Sequence, residues 1–180
     1  MYEQIIIAGF GGQGVLFAGK TLAYMGMDNN KNLSWLPSYG PEMRGGTCNC
    51  SVIIADSKIG SPIIQSPDAL IVMNKPSLEK FMGKVKPGGL IVLDSSLIDT
   101  NVERTDVKVV YIPAMKIAED FGQPTLGNMV MTGAYMKARE ELFSIEDLYA
   151  SVKEHTPPKR AELADKNIEL IKAGYEYETC

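Results

Sequence analysis

Ile5, Ile6, Ile7 and Ala8 run directly into Gly9-Phe10-Gly11-Gly12-Gln13-Gly14, and Val15-Leu16 opens a helical pattern. The three glycines Gly9, Gly11 and Gly14 carry the spacing G-x-G-x-x-G in the order strand, turn, helix, the context in which that spacing has physical content. Gly9 allows a tight turn, Gly11 lets a phosphate approach the backbone, and Gly14 lets the helix pack close to the strand. The helix start beyond presents free N–H groups and the positive end of its dipole to an anion. The plainer reading is a turn that needs small residues. Both stand at this point.

Composition narrows the class. With 180 residues, the chain is long enough for one domain with a sizeable core. Hydrophobic residues make up 45% and charged residues 22%, a soluble globular mix. The net charge of −4 argues against general nucleic-acid binding, which shows a basic face, but leaves room for one locally positive hollow. No run approaches the roughly 18 apolar residues of a membrane span, and no signal-peptide pattern is evident, so the cytoplasm is expected. Cys48, Cys50 and Cys180 form a C-x-C pair plus one more, with no C-x-x-C, which disfavours a zinc site or a self-contained iron–sulfur cluster. In a strand, Cys48 and Cys50 would face the same way as small core residues. The single histidine, His155 beside a Pro-Pro turn, argues against Ser-His-Asp or paired-His chemistry.

Along the chain, strands are expected at 4–8, 32–35, 47–55, 69–73, 90–94 and 107–112. Helices are expected at 13–27, 76–85, 115–121 and 128–139, then from the Ser144 cap to about Glu154, then from Pro157-Pro158 to about Gly174. Residues 36–46 read as irregular, because two prolines and three glycines exclude a regular helix. Lys58-Ile59 reads as a return strand of a hairpin. The fold class is α/β. Too few residues separate strand two from the 47–55 strand for a helical crossover. A mostly parallel sheet with an antiparallel excursion around 47–60 follows, and 1–180 reads as one domain.

Several residues invite chemistry. Ser38, Tyr39, Glu42 and Arg44 lie in the 36–46 segment, at the same sheet edge as the glycine turn. Arg44 suits a bidentate phosphate clamp, and Tyr39 suits stacking on a base. Asp94 and Asp99 read as loop caps, and Lys75 as a solvated lysine. Gly127-Asn128 and Gly133 read as a close helix contact. The helix around Met129, Met131 and Met136 is apolar nearly all round, so it is either buried or covered by a partner. An NAD enzyme would want an acid at the end of strand two, where Ser34-Trp35-Leu36 stand instead.

Gly9-Phe10-Gly11-Gly12-Gln13-Gly14, Ser38-Tyr39-Gly40-Pro41-Glu42-Met43-Arg44-Gly45-Gly46 and Gly60-Ser61-Pro62 together resemble the gamma subunit of 2-oxoacid:ferredoxin (acceptor) oxidoreductases. The resemblance covers nearly the whole chain and is weakest after about residue 140. It implies a Rossmann-like three-layer domain that completes a heteromeric enzyme and contributes to its coenzyme A site. It implies oxidative decarboxylation of a 2-oxoacid to an acyl-CoA, with thiamine diphosphate and iron–sulfur clusters held by partner subunits, alpha and beta with or without a ferredoxin-like delta. Carried onto this sequence, the coenzyme A residues are Gly11, Gly12, Gln13 and Gly14 at the first loop and Tyr39, Glu42, Arg44, Gly45 and Gly46 at the second. Glu42, a carboxylate among phosphates, would orient Arg44 or meet a partner. No residue here is assigned bond chemistry. The alternative is a self-sufficient NAD- or flavin-binding oxidoreductase, and the isolated chain is a candidate homodimer.

Overall fold

The structure is a computed structural model, and it describes residues 1–39 and 46–178, with the backbone alone at Tyr39. The elements run β1 (Tyr2–Phe10), α1 (Val15–Asp28), β2 (Asn32–Tyr39), β3 (Thr47–Ala55), β4 (Ala69–Val72), α2 (Lys75–Phe81), β5 (Leu90–Asp94), β6 (Lys108–Ile112), α3 (Ala114–Asp120), α4 (Gly127–Ala138), α5 (Ile145–Glu154) and α6 (Ala161–Tyr175). Six strands form one sheet in the order β2-β3-β1-β4-β5-β6. Strands β1, β4, β5 and β6 are mutually parallel, whereas β3 runs antiparallel to both β1 and β2.

The antiparallel excursion is therefore real, and it lies inside the sheet: β3 separates β2 from β1. Several boundaries differ from the sequence reading. Residues 36–39 continue β2, pairing Leu36 with Ser51, Pro37 with Cys50, Ser38 with Asn49 and Tyr39 with Cys48. Pro37 is tolerated because β2 is an edge strand, where a missing N–H breaks no second ladder. Lys58-Ile59 form no strand. The second helix stops at Phe81, and a single 3₁₀ turn covers Met82–Lys84.

The central strands are apolar on both faces, as strands covered by helices must be. Ile5, Ile7, Ile71 and Val92 face the larger core with α1, α4 and α6, while Ile6, Ala8, Val72 and Leu93 face the smaller core with Leu78 and Phe81 of α2. Thus α1 packs on β1, β3 and β2 on one face and α2 packs on β4 and β1 on the other, and the chain runs from β1 toward the β2–β3 side and from β4 toward β5. Between β1 and β4 the connections diverge. Crevices of this kind, outside the carboxyl ends of the strands, are where open α/β sheets bind ligands.

The nearly all-apolar α4 is buried within the chain, with Met129, Val130, Met131 and Tyr135 fully enclosed. It crosses α6 at two glycines. A Cβ on Gly133 would overlap the Ile171 carbonyl, and one on Gly174 would overlap the Val130 carbonyl. At its other end Arg139 Nε donates to Glu3 Oε1 at 3.0 Å, and an Arg139 terminal nitrogen donates to the Asp68 carbonyl at 3.1 Å. Burial raises the Glu3 carboxyl above 4.5, and the Arg139 charge offsets this only in part. His155 closes the α5 end against α1 by stacking on Tyr24, with centroids 3.9 Å apart, and by bonding Asp28 at 3.0 Å.

Gly133→Ala and Gly174→Ala are expected to cost about 1–3 kcal/mol each in denaturant unfolding, because rigid backbone meets the added carbon. Gly83→Ala, with open space around it and no positive φ, should change stability by less than about 1 kcal/mol. Glu3 supplies a pH signature. Its raised native value means that its favourable contribution is complete below the ordinary carboxyl range and is lost as pH rises through the raised value. Unfolding free energy measured against pH should show this loss in the wild type and not in Glu3→Gln. Arg139→Ala, which strands the buried carboxylate, should cost about 3–5 kcal/mol at neutral pH.

Candidate functional site

Strand register brings the two candidate loops together. Gly9 pairs with Cys48 and Phe10 with Thr47 across β1 and β3, and Tyr39 of β2 pairs with the same Cys48. The segment between β2 and β3 therefore leaves the sheet at the edge where the glycine turn stands. The backbones touch there: the Gly11 N–H donates to the Gly46 carbonyl at 3.0 Å. Gly11, Gly12, Gln13, Gly14, Gly46 and the backbone of Tyr39 share one sheet edge. Glu42, Arg44, Gly45 and the Tyr39 side chain lie outside the described residues.

The turn is built by its own chemistry. Gly12 and Gly14 take φ of 100° and 74°, the left-handed region that glycine enters without strain. A Cβ on Gly9 would lie 3.1 Å from Met73 Cβ and 3.0 Å from Val15 Cγ2, so strand and helix close over the bare position. Gln13 clasps the turn. Its Oε1 accepts the Phe10 N–H at 2.6 Å, and its Nε2 donates to the Met73 carbonyl at 3.0 Å. Placed on the ligand by resemblance, Gln13 is found with its amide engaged by the chain, where it joins the turn to the end of β4.

What remains free is backbone. The first intrahelical bond of α1 is Ala18 N–H to the Gly14 carbonyl. Among the described residues, the N–H groups of Gly12, Val15, Leu16 and Phe17 find no backbone acceptor. These donors, with the positive end of a 14-residue helix, suit an anion. A second helix start adjoins them: Asn128, in the first turn of α4 and 3% exposed, donates from Nδ2 to the Gly14 carbonyl at 3.1 Å. This contact joins positions far apart in the chain, so local patterning could not show it. Phe10, at the end of β1, stays 37% exposed beside the turn, while the 45% exposed Phe17 lines a hollow with Tyr24 and His155 between α1 and α5.

Other candidates resolve into structure. Asp94, at the carboxyl end of β5, accepts the N–H groups of Ser96, Ala114 and Met115 at 2.9, 3.1 and 3.3 Å, so it caps α3. Burial raises its carboxyl despite those bonds. Lys75 is exposed and pairs loosely with Asp99 at 3.8 Å. Cys48 and Cys50 share one face, as alternation required. The Cys50 thiol is fully buried, sits 3.6 Å from the Val15 carbonyl, and is pushed up to about 12 by burial. A hollow of about 670 Å³ lies against β6, away from the turn, where Lys108, Lys137, Glu140 and Tyr175 mix both charges. With β3 standing between β2 and β1, the end of β2 is also displaced from the place where a dinucleotide fold keeps its ribose-binding acid.

The sequence profile of the pyruvate ferredoxin/flavodoxin oxidoreductase family matches residues 4–177. The chain is 37% identical over 174 residues to ketoisovalerate oxidoreductase subunit VorA of Methanothermobacter thermautotrophicus, covering 97% of this chain but 36% of that protein. It thus spans about a third of the length of that relative. It is 36% identical over 183 residues to 2-oxoglutarate synthase subunit KorC of Methanothermobacter marburgensis, covering 98% of this chain and 96% of KorC. Among solved structures, the gamma subunit of a keto/oxoacid ferredoxin oxidoreductase from Geobacter sulfurreducens superposes with TM-score 0.83 at 26% identity, over 98% of this chain and 95% of that one. A 2-oxoglutarate:ferredoxin oxidoreductase from Magnetococcus marinus, solved with 2-oxoglutarate, coenzyme A and succinyl-CoA bound, shares the fold with TM-score 0.83 at 23% identity. That match covers 96% of this chain and 30% of that chain.

Two outcomes test the turn and its surroundings. Gly14→Ala should cost more stability than Gly12→Ala. Both pay the left-handed penalty of about 1–2 kcal/mol, but only at Gly14 would the new carbon meet a side chain, at 2.5 Å from Asn128 Nδ2. Thiol alkylation at about pH 8 should leave Cys50 unmodified in the folded chain and label it after unfolding, read by peptide mass mapping.

Proposed function

The chain belongs to the pyruvate ferredoxin/flavodoxin oxidoreductase family, and on that footing we propose that it is the gamma subunit of a 2-oxoacid:ferredoxin oxidoreductase. In this reading it builds part of the coenzyme A site and performs no bond chemistry itself. Alpha and beta subunits, with a ferredoxin-like delta subunit, supply thiamine diphosphate and the iron–sulfur clusters. The complex converts a 2-oxoacid and coenzyme A to an acyl-CoA and passes electrons to ferredoxin. Residues 1–180 act as one domain, in the cytoplasm.

The observation that carries this reading is the bond from Gly11 N–H to the Gly46 carbonyl at the carboxyl edge of the sheet. It joins both motif loops beside the β1–β4 crevice. Coenzyme A has groups to match. Its pyrophosphate suits the N–H groups of Gly12, Val15, Leu16 and Phe17, which are held in place before binding without bringing a mobile charge. Its further phosphate suits Arg44, and its adenine suits Tyr39. Glu42 orients Arg44 or meets a partner subunit. The presence of coenzyme A in the Magnetococcus marinus structure supports a ligand of this class. A self-sufficient NAD or flavin enzyme finds no support among the relatives, and no acidic residue closes β2.

In the reconstituted complex, Arg44→Ala should weaken coenzyme A binding by about 1.5–3 kcal/mol, the size of a charge-assisted bond. Calorimetry measures this, and an unchanged affinity would leave the glycine loop as a protein contact only. The isolated chain should oxidise no 2-oxoacid, and turnover by the chain alone would refute the subunit role.

A further inference from the structure

The sheet ends at β2 on one side and at β6 on the other, and the two edges are built differently. β2 carries Pro37, and a proline takes an N–H away from an edge and blunts its pairing with other chains. β6 has no proline, and its one charge, Lys108, stands at the first position. The inner side of β6 is used by β5: the Lys108 N–H donates to the Gly89 carbonyl at 2.8 Å, and the Ile112 carbonyl accepts the Ser95 N–H at 2.9 Å. In a parallel pair the N–H and C=O of one residue point to the same side, and the side alternates along the strand. Val109 and Tyr111 therefore turn both backbone groups outward. Among the described residues, these two N–H groups and two carbonyls have no backbone partner.

The hollow of about 670 Å³ adjoins this edge on the side of α4 and α6. Its buried lining is apolar, at Val110 and Ala134, and its exposed lining carries both charges, with Lys108 and Lys137 beside Glu140 and Glu178. Symmetry selects the occupant. An antiparallel approach about a two-fold axis at Val110 sets Val109 of one protomer opposite Tyr111 of the other, and Tyr111 opposite Val109. Outward residues then face outward residues, each pair exchanges both N–H···O bonds, and four ladder bonds form. The Val110 side chains meet across the axis, where a pair without hydrogen bonds stands closest. The mixed charge suits the same arrangement: a lining of one sign would repel its own image, whereas two lysines and two glutamates attract theirs. We propose that β6 is the homodimer interface of this chain, joining the six strands of each protomer edge to edge into one twelve-stranded sheet. The inference does not rest on the coenzyme A reading. The glycine turn, at β1, stays clear of the joint.

The test uses the full chain alone. Sedimentation velocity over a range of concentrations should show a species of twice the 19.7 kDa chain mass. Where that species predominates, NMR hydrogen exchange at the Val109 and Tyr111 N–H groups should be at least about tenfold slower than in the monomer. Val109→Pro removes one outward N–H from each protomer, two of the four new bonds, and none of the bonds to β5. It should melt within a few degrees of wild type and dimerise at least about tenfold more weakly. Should this variant not fold, the wild-type exchange rates still decide. A wild-type chain that is monomeric at every concentration would overturn the inference, as would a dimer in which both N–H groups exchange as freely as in the monomer. Protection that appears only on adding other subunits would also overturn it, because the edge would then belong to a different chain.

Discussion

Nine residue pairs, from Tyr2 with Ala55 to Phe10 with Thr47, lock β1 antiparallel to β3, and the position of the candidate site follows from that register. Because side chains alternate along a strand, a slip by one residue would turn Ile5, Ile7, Cys50, Val52 and Ile54 out of the core they share. The register is thus held by buried apolar area. Its consequence at the far end is polar: just beyond the last ladder pair, the Gly11 N–H donates to the Gly46 carbonyl. A hydrophobic constraint thereby brings two backbone-rich loops to one place.

Three connections then hold the turn rigid. Gln13 ties it to β4, Asn128 ties the start of α1 to the start of α4, and the bare Cα of Gly9 lets Met73 and Val15 close in. Each spends a side chain or a missing side chain to fix backbone. The donors left over are N–H groups, which carry partial charge and cannot swing away. In the proposed reading this suits a chain of net charge −4, because oriented dipoles would supply the attraction for an anion locally. The opposite end of the sheet bears the buried Glu3–Arg139 pair, which costs desolvation and anchors α4. Site and anchor occupy opposite ends of the same parallel strands.

Much of this was legible beforehand, for identifiable reasons. The unbroken apolar run at 69–73 and the apolar residues 90–93 read as strands covered on both faces, and the burial of both strands agrees: every residue of 69–72 and 90–93 is enclosed. Ser144 three residues before Asp147 marked a helix start, and the structure shows that cap at 3.2 Å. The α4 glycine was read as a close packing point, and its partner is the Ile171 carbonyl. The misreadings share a cause. Residues 36–39 looked irregular because Pro37 and the glycines beyond it outweigh two apolar residues in any local reading, yet an edge strand needs only one satisfied ladder. Lys58-Ile59 looked like a strand because nothing nearby forbade it, but a hairpin return needs an open side of β3, and both sides are taken by β1 and β2.

Taken alone, the linear order of residues determined the alternation of strands and helices, the strand–turn–helix at the glycines, and the family resemblance, since periodicity and glycine stereochemistry act over a few residues. Only the tertiary structure decided that β3 lies between β2 and β1, that Gln13 grips the chain, and that β6 ends the sheet. Those outcomes depend on contacts between distant positions, such as Gln13 with Met73 across 60 residues and Glu3 with Arg139 across 136. Which of many possible long-range contacts form is settled only when the packed core removes the alternatives.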